Sequence, residues 1–219
     1  DRNEAFLAGE YTGGMPSDIK ELQRLNERDQ KAEEKVNEIF EAYGNSISVS
    51  EYTLNYQDML IQLYRDNPMT ELQEEIFWEA VSYLGTTYLF NGLCGPGGSG
   101  IDCSGLVMNV YNNISEGDVN LPHSANTISQ MGIEAEEPLQ VGDIVTYDLD
   151  PSADKPTIDH CGIFVGYLNG EPMIIDASSG AFGEVCLRNM GLNGTKGDQG
   201  LAVPITIRRI YDENGDIAE

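Results

Sequence analysis

Over the first third of the chain, apolar residues return every three or four positions. Behind Ser17, a helix-capping residue type, come Ile19, Leu22, Leu25, Val36, Ile39, Phe40 and Tyr43, with charged residues between them. That spacing puts an apolar stripe on one helix, which Gly44 and Asn45 are expected to end. A second amphipathic helix is expected from Glu51 to Arg65, with Leu54, Met59, Leu60 and Leu63 facing inward, and Asp66-Asn67-Pro68 breaks it. The pair can form an αα-hairpin. Such a hairpin serves as a spacer, a partner-binding arm or part of a longer coiled segment, and a packing role is the plainest reading. Ahead of it, residues 1–16 carry Gly9, Gly13, Gly14 and Pro16 and read as a loose lead-in.

Thr70-Glu71-Leu72-Gln73 has the form of a capping box. The helix behind it carries Ile76, Phe77, Ala80, Val81 and Leu84, and Gly85 closes it. Another helix is expected from Cys103 to about Asn112, and a short one from Ser124 to Met131. Past residue 138 the period changes. Asp143–Tyr147, Cys161–Val165, Met173–Asp176 and Ala202–Ile210 are short, rich in β-branched residues and bounded by Gly, Pro, Asn or Asp. They read as strands of an antiparallel sheet. Helices first and strands second make the fold class α+β. The break at Pro68 divides the chain into a helical N-terminal segment, residues 1–67, and a main domain, residues 68–219.

Composition supports a packed core. Of the 219 residues, 40% are hydrophobic and 22% charged, which is a globular balance rather than a disordered one. No apolar run reaches the length of a membrane span. The chain opens on Asp1 rather than Met, as a processed or excised form would, so a leader or anchor would already be missing. The net charge is −25, and residues 71–219 carry 5 Lys and Arg against 23 Asp and Glu. Such a surface repels phosphate backbones and anionic lipid, which argues against nucleic-acid and membrane partners. Cys94, Cys103, Cys161 and Cys186 form no CxxC pair and lack metal-finger spacing, so no metal site is expected.

The chemistry centres on Cys103. Six of the ten residues from Asn91 to Gly100 are Gly or Pro, and this loose run leads straight into Ile101-Asp102-Cys103-Ser104-Gly105-Leu106-Val107. Cys103 therefore stands where a loop becomes a helix. A thiol attacks as thiolate, and its pKa falls at a helix N-terminus or beside a protonated histidine. Backbone N–H groups there can also hold an oxyanion. Taken alone, a cysteine before an apolar helix is more often a buried structural residue. A base is needed, and the chain has two histidines, His123 and His160. His160 opens the strand Cys161–Val165, where it can face Cys103. Asp176 ends the next strand. If those strands pair through Tyr167-Leu168-Asn169-Gly170, His160 and Asp176 lie near the same end, and Cys103, His160 and Asp176 form a triad.

The stretches "GTTYLFNG", "IDCSGLV", "LQVGDIVTY", "DHCGIFVG" and "IIDASSG" occur in the order and spacing of the NlpC-like cysteine peptidases, which cleave bacterial cell-wall peptides. The resemblance covers roughly residues 70–210. It implies a papain-like α+β fold with the nucleophile at a helix N-terminus against a sheet that supplies the base. Cys103 matches the family's nucleophile and His160 its base. Tyr88 matches the tyrosine that lies by the nucleophile and helps hold the oxyanion. Asp102 and Ser104 match residues that contact the free amine of the peptide. The implied reaction is hydrolysis between γ-linked D-glutamate and the following diamino acid of a peptidoglycan stem peptide, with no cofactor. An exported or cell-surface protein is implied, or one carried by a phage or mobile element. A protein partner could dock through the N-terminal helices.

Three positions depart from the family pattern. Asp176 stands where histidine is frequent; a carboxylate there stabilises an imidazolium more strongly than a neutral partner. His123 stands where arginine is usual and reads as a residue of the cleft rim, among the substrate contacts. Cys161 replaces a small aliphatic residue and reads as a buried, inert thiol. Cys94 could contact substrate or pair with Cys186, with free thiols as the simpler state. Two other functions fit the same fold: a non-catalytic wall-binding or assembly module, which has no need of a thiolate, and an acyltransferase.

Overall fold

A computed structural model of the chain describes residues 17–43, 51–115, 117–149, 157–180, 183–191, 204–212 and 214–218. The lead-in at 1–16, the helix stop at Gly44–Asn45 and the start of the last strand at Ala202 lie outside the described residues. Five helices are described: α1 (Ser17–Tyr43), α2 (Glu51–Asp66), α3 (Glu71–Ser82), α4 (Cys103–Ile114) and α5 (Ala125–Ile128). Six strands follow all five helices: β1 (Ile133–Glu134), β2 (Ile144–Tyr147), β3 (His160–Leu168), β4 (Glu171–Ser178), β5 (Glu184–Asn189) and β6 (Thr206–Arg209). They make one sheet in the order β1-β6-β2-β3-β4-β5, antiparallel at every pairing. The α+β class and the helices-on-sheet architecture are those the sequence predicts.

Local chemistry sets the element ends. Thr70 caps α3 with the full reciprocal box: its hydroxyl accepts from Gln73 N and its own N–H reaches the Gln73 side chain. Ser124 caps α5. The β3–β4 hairpin turns at Asn169 and Gly170, whose φ values of 53° and 86° suit a two-residue turn that follows the strand twist. Two strands had no counterpart in the hydrophobic pattern. β1 has two residues and exists through its pairing with β6. β5 is buried on both faces, so Glu184-Val185-Cys186-Leu187-Arg188-Asn189 shows no clean inside–outside alternation.

One face of the sheet carries the helical layer. Leu106, Val107 and Val110 of α4 are fully buried beside Ile163, Val165 and Ile175 of the sheet. Each such side chain contributes about 1.5–3 kcal/mol on burial. The same core takes in Ala32, Val36 and Ile39 of α1 and Leu60 and Leu63 of α2. Leu22, on the predicted apolar stripe, is 65% exposed. The two N-terminal helices pair, with Arg28 donating to the carbonyls of Tyr64 and Asn67 and lying over the Tyr64 ring. Asn67 then fastens the pair to the sheet: its Oδ1 accepts from Tyr167 N at 2.8 Å and its Nδ2 donates to Tyr167 O at 3.0 Å. These contacts sit where the β3–β4 register shifts between Phe164 and Gly166. No helix among the described residues is long and apolar enough to cross a membrane.

Candidate active site

Asp102 caps α4, so Cys103 is the first helical residue. Asp102 is extended (φ −102°, ψ 179°) and its Oδ1 accepts from Gly105 N at 2.7 Å. The same oxygen meets Ser104 Oγ at 3.1 Å and His123 Nε2 at 2.8 Å, while Oδ2 accepts from Asn91 N at 2.9 Å. Asp102, Ser104 and His123 thus form one cluster around the start of the helix, with Asp102 5% exposed. The Cys103 sulfur stands at the positive end of α4, above backbone N–H groups that no helical carbonyl reaches. Tyr88 runs alongside. Ile101 N donates to Thr87 O and Leu89 N to Ile101 O, both at 3.0 Å, which pins the segment before the loop to the residues before Cys103. Burial pushes the Tyr88 hydroxyl pKa up, and the neighbouring Cys103 and Asp102 add to it.

His160 is the first residue of β3, and its Nε2 lies 2.6 Å from Asp176 Oδ2 on β4. The hairpin register brings the two together, since Ile163 pairs with Ile175. Gly162 lies between them. A Cβ at that position would stand 2.9 Å from the Asp176 Cβ, so a side chain there would displace the carboxylate from His160. With Nε2 committed to Asp176, Nδ1 is left for Cys103. His160 and Asp176 are 5% and 0% exposed. Burying a carboxylate costs several kcal/mol unless it is paired. Asp176 is paired twice, by His160 and by Arg188 of β5, which donates from Nε to Oδ1 at 2.7 Å and from Nη2 to Oδ2.

These contacts set the charges. Burial pushes the His160 pKa down, but its hydrogen bonds to Asp176 and Cys103 prevail and raise it to about 10. Burial likewise pushes Asp176 up, and His160 and Arg188 hold it below the usual carboxylate range. The Cys103 thiol lies well below its ordinary value. Its first cause is a hydrogen bond from the Cys161 thiol, then, against the opposing burial, the hydrogen bond and charge of His160. Cys161 moves the other way, well above the usual thiol value, because its S–H is held by Cys103 and it is buried. These directions favour the thiolate of Cys103 and the imidazolium of His160, with the Asp176 carboxylate behind them. The contact of Cys103 with Asp159 O, at 3.9 Å, is long and adds little.

Residues 85–192 match the family model described as the NlpC/P60 family. The chain carries an NlpC/P60 domain. Among solved structures it resembles NlpC1 from Trichomonas vaginalis, 26% identical at a TM-score of 0.50, over 63% of this chain and 43% of that one. NlpC2 from the same organism is 24% identical at a TM-score of 0.52, over 65% and 47%. The chain thus spans less than half the length of either. The NlpC/p60 domain of the peptidoglycan hydrolase SagA is 21% identical at a TM-score of 0.46, over 63% of this chain and 97% of that domain. Among curated proteins no match was found.

Within the NlpC/P60 domain, Tyr88, Cys103, His160 and Asp176 come together at one end of α4 and the sheet. Sequence reasoning missed two neighbours. Cys161 is buried, as expected, but stands close enough to Cys103 to shift its pKa. Arg188 was not singled out; its signal was an arginine flanked by Val185, Cys186 and Leu187, a charge inside an apolar run. The four cysteines are free; Cys94 lies 3.0 Å from Ser99 Oγ, and the Cys186 thiol donates to Asp176 at 3.7 Å, so these two do not pair. Among the described residues no group of three or more His, Cys, Asp or Glu could hold a metal ion.

The thiol–thiol contact has a measurable consequence. Replacing Cys161 by Val removes the thiol that helps hold the Cys103 pKa down and keeps the volume close. The Cys103 pKa is then expected to rise, and iodoacetamide alkylation of Cys103 to need a more alkaline pH by about one unit. An unchanged alkylation profile would show that Cys161 leaves the nucleophile alone.

Proposed function

We propose that this chain is a cysteine peptidase that hydrolyses peptidoglycan stem peptides, at the bond between γ-linked D-glutamate and the diamino acid that follows it. The observation that carries this reading is the line of buried groups from Cys103 at a helix N-terminus through His160 to Asp176. A wall-binding module has no use for a thiol held so far below its ordinary pKa. The Cys103 thiolate attacks the amide carbonyl carbon. The N–H groups at the start of α4 and the Tyr88 hydroxyl receive the charge on the carbonyl oxygen. His160 gives its proton to the leaving amine, and Asp176 steadies the imidazolium until then. Water, deprotonated by His160, opens the thioester and frees Cys103. The Asp102 carboxylate, with Ser104 beside it and His123 at the rim, faces the substrate's free amine, which takes the place of one of its present donors. Stem peptides lie outside the cytoplasm, so the protein acts at a cell surface.

The test is digestion of peptidoglycan from a diaminopimelate-type and a lysine-type wall, with Cys103→Ala as control and mass spectrometry of the products. Fragments cut after D-glutamate, absent with the control, are expected, and the two walls report the preferred diamino acid. No fragments, with Cys103 still alkylated rapidly, would turn the reading to acyl transfer. No fragments and no alkylation would turn it to a binding module.

A further inference from the structure

The triad accounts for three of the four ionisable groups linked through His160 and Asp176. The fourth is Arg188, and it is placed with more contacts than a structural ion pair needs. It lies on β5, paired with Ile174, while Cys186 pairs with Asp176 itself. The Arg188 side chain therefore shares the sheet face of Asp176 and reaches it from two positions along the strand. It is 7% exposed and grips both carboxylate oxygens, Nε on Oδ1 at 2.7 Å and Nη2 on Oδ2. Two donors in a planar fork fix the plane of the carboxylate. Oδ2, the oxygen that meets His160 Nε2, is one of the two that are gripped. The remaining nitrogen, Nη1, is buried and meets no hydrogen-bond partner among the described residues. A cation buried with an unsatisfied N–H is poorly explained by stability alone.

The charges around the site give the second half of the argument. The titratable groups that face Asp176 are His160 on β3, Cys186 and Arg188 on β5, with Tyr147 on β2 and Tyr56 on α2 further off. Arg188 is the one permanent cation hydrogen-bonded to Asp176 among the described residues. The Cys103 thiolate and Asp176 carry two negative charges; His160 and Arg188 carry two positive ones. The set is neutral with Arg188 and singly negative without it.

We propose that Arg188 is a positioning residue of the peptidase: it orients the Asp176 carboxylate toward His160 and balances the charge of the buried catalytic set. This rests on the reading of Cys103, His160 and Asp176 as the catalytic groups. Arg188 touches no reacting atom and acts through Asp176.

Two conservative variants separate its functions. Arg188→Gln keeps a hydrogen-bond donor and loses the charge. Arg188→Lys keeps the charge and loses the fork. Both are assayed at temperatures below their measured Tm, by kcat and KM on stem peptide and by the pH dependence of Cys103 alkylation. With Arg188→Gln, loss of a nearby positive charge makes every acid harder to ionise. The alkylation profile of Cys103 and the alkaline limb of kcat should both move to higher pH, by about one unit. The kcat should fall about 10- to 100-fold, the range found when outer-shell partners are removed from metal ligands, with KM little changed. With Arg188→Lys, kcat should fall while the pH profiles stay in place. Wild-type kcat and wild-type profiles in both variants would overturn the proposal, whatever happened to Tm. Alkylation is read on the thiol itself. A chain that cuts no stem peptide but shows the Arg188→Gln shift would refute the peptidase reading and leave Arg188 in its place. A chain that cuts, with no shift and no loss, would do the reverse.

Discussion

Cys103→Ala and His160→Ala should each lower kcat on stem peptide by about 10⁴- to 10⁶-fold, and the double variant should be no slower than either single one. The two residues form one unit, since the base has nothing to receive without the thiol and the thiol loses its counter-charge without the base; triad members elsewhere are non-additive for that reason. The pH dependence follows from the same pair. Cys103 is held well below its ordinary value and His160 is raised to about 10, so both are expected to bear charge at neutral pH. Activity should fall on the acid side where the thiolate takes up a proton, and on the alkaline side near pH 10 where the imidazolium loses one. In His160→Ala the nearby cation is gone, so alkylation of Cys103 should shift to more alkaline pH. Neither variant should unfold, because Cys103 and His160 are each joined to the core by neighbours that remain. A double variant far slower than either single one would mean that the two residues do not act together. A wild-type profile centred on neutral pH with both limbs close together would contradict the ion pair.

The parts of the fold that were legible in the sequence are those fixed by neighbours in the chain. The capping box at Thr70 and Gln73, the helix start at Cys103 and the turn at Asn169-Gly170 are local chemistry, and each is where the residue types place it. β2, β3 and β4 were legible because their β-branched runs are bounded by turn formers, although β3 is longer at its far end than Cys161–Val165. β1 was not, because two residues carry no period and its partner strand among the described residues is β6, some 75 positions later. β5 was hidden for the opposite reason. It is paired with β4 and its four central residues are all buried, so polar and apolar residues are buried together. Arg188 was lost with it. An arginine in an isolated strand reads as an exposed one, and only the register against β4 shows that it meets a carboxylate. At the site, Cys103 and His160 were legible through motif and order, whereas the Cys161 contact depends on α4 packing against the face of β3 that carries it.

Asp176→Ala should be the most damaging single change to stability and a smaller loss to catalysis than His160→Ala. Removing the carboxylate leaves the Arg188 guanidinium buried without its partner, and breaking a buried ion pair from one side costs about 3–5 kcal/mol. For a chain of this size that corresponds to roughly 6–20 °C in Tm. His160 loses the hydrogen bond and the charge that raised it, and burial then pushes its pKa down. The alkaline limb of activity should move from near pH 10 to lower pH by more than about one unit. The kcat should fall about 10²- to 10⁴-fold, because His160 still meets Cys103 but without a fixed orientation. The decisive comparison is the double variant Asp176→Ala with Arg188→Met. Arg188→Met removes the orphaned charge, so the double variant should melt higher than Asp176→Ala alone, while its kcat stays low. Recovery of stability without recovery of rate would separate the two functions of the carboxylate: it neutralises the buried arginine, and it holds the imidazole. If Asp176→Ala melted with the wild type, or if the double variant melted no higher than the single one, the buried bridge between His160 and Arg188 would not exist in solution.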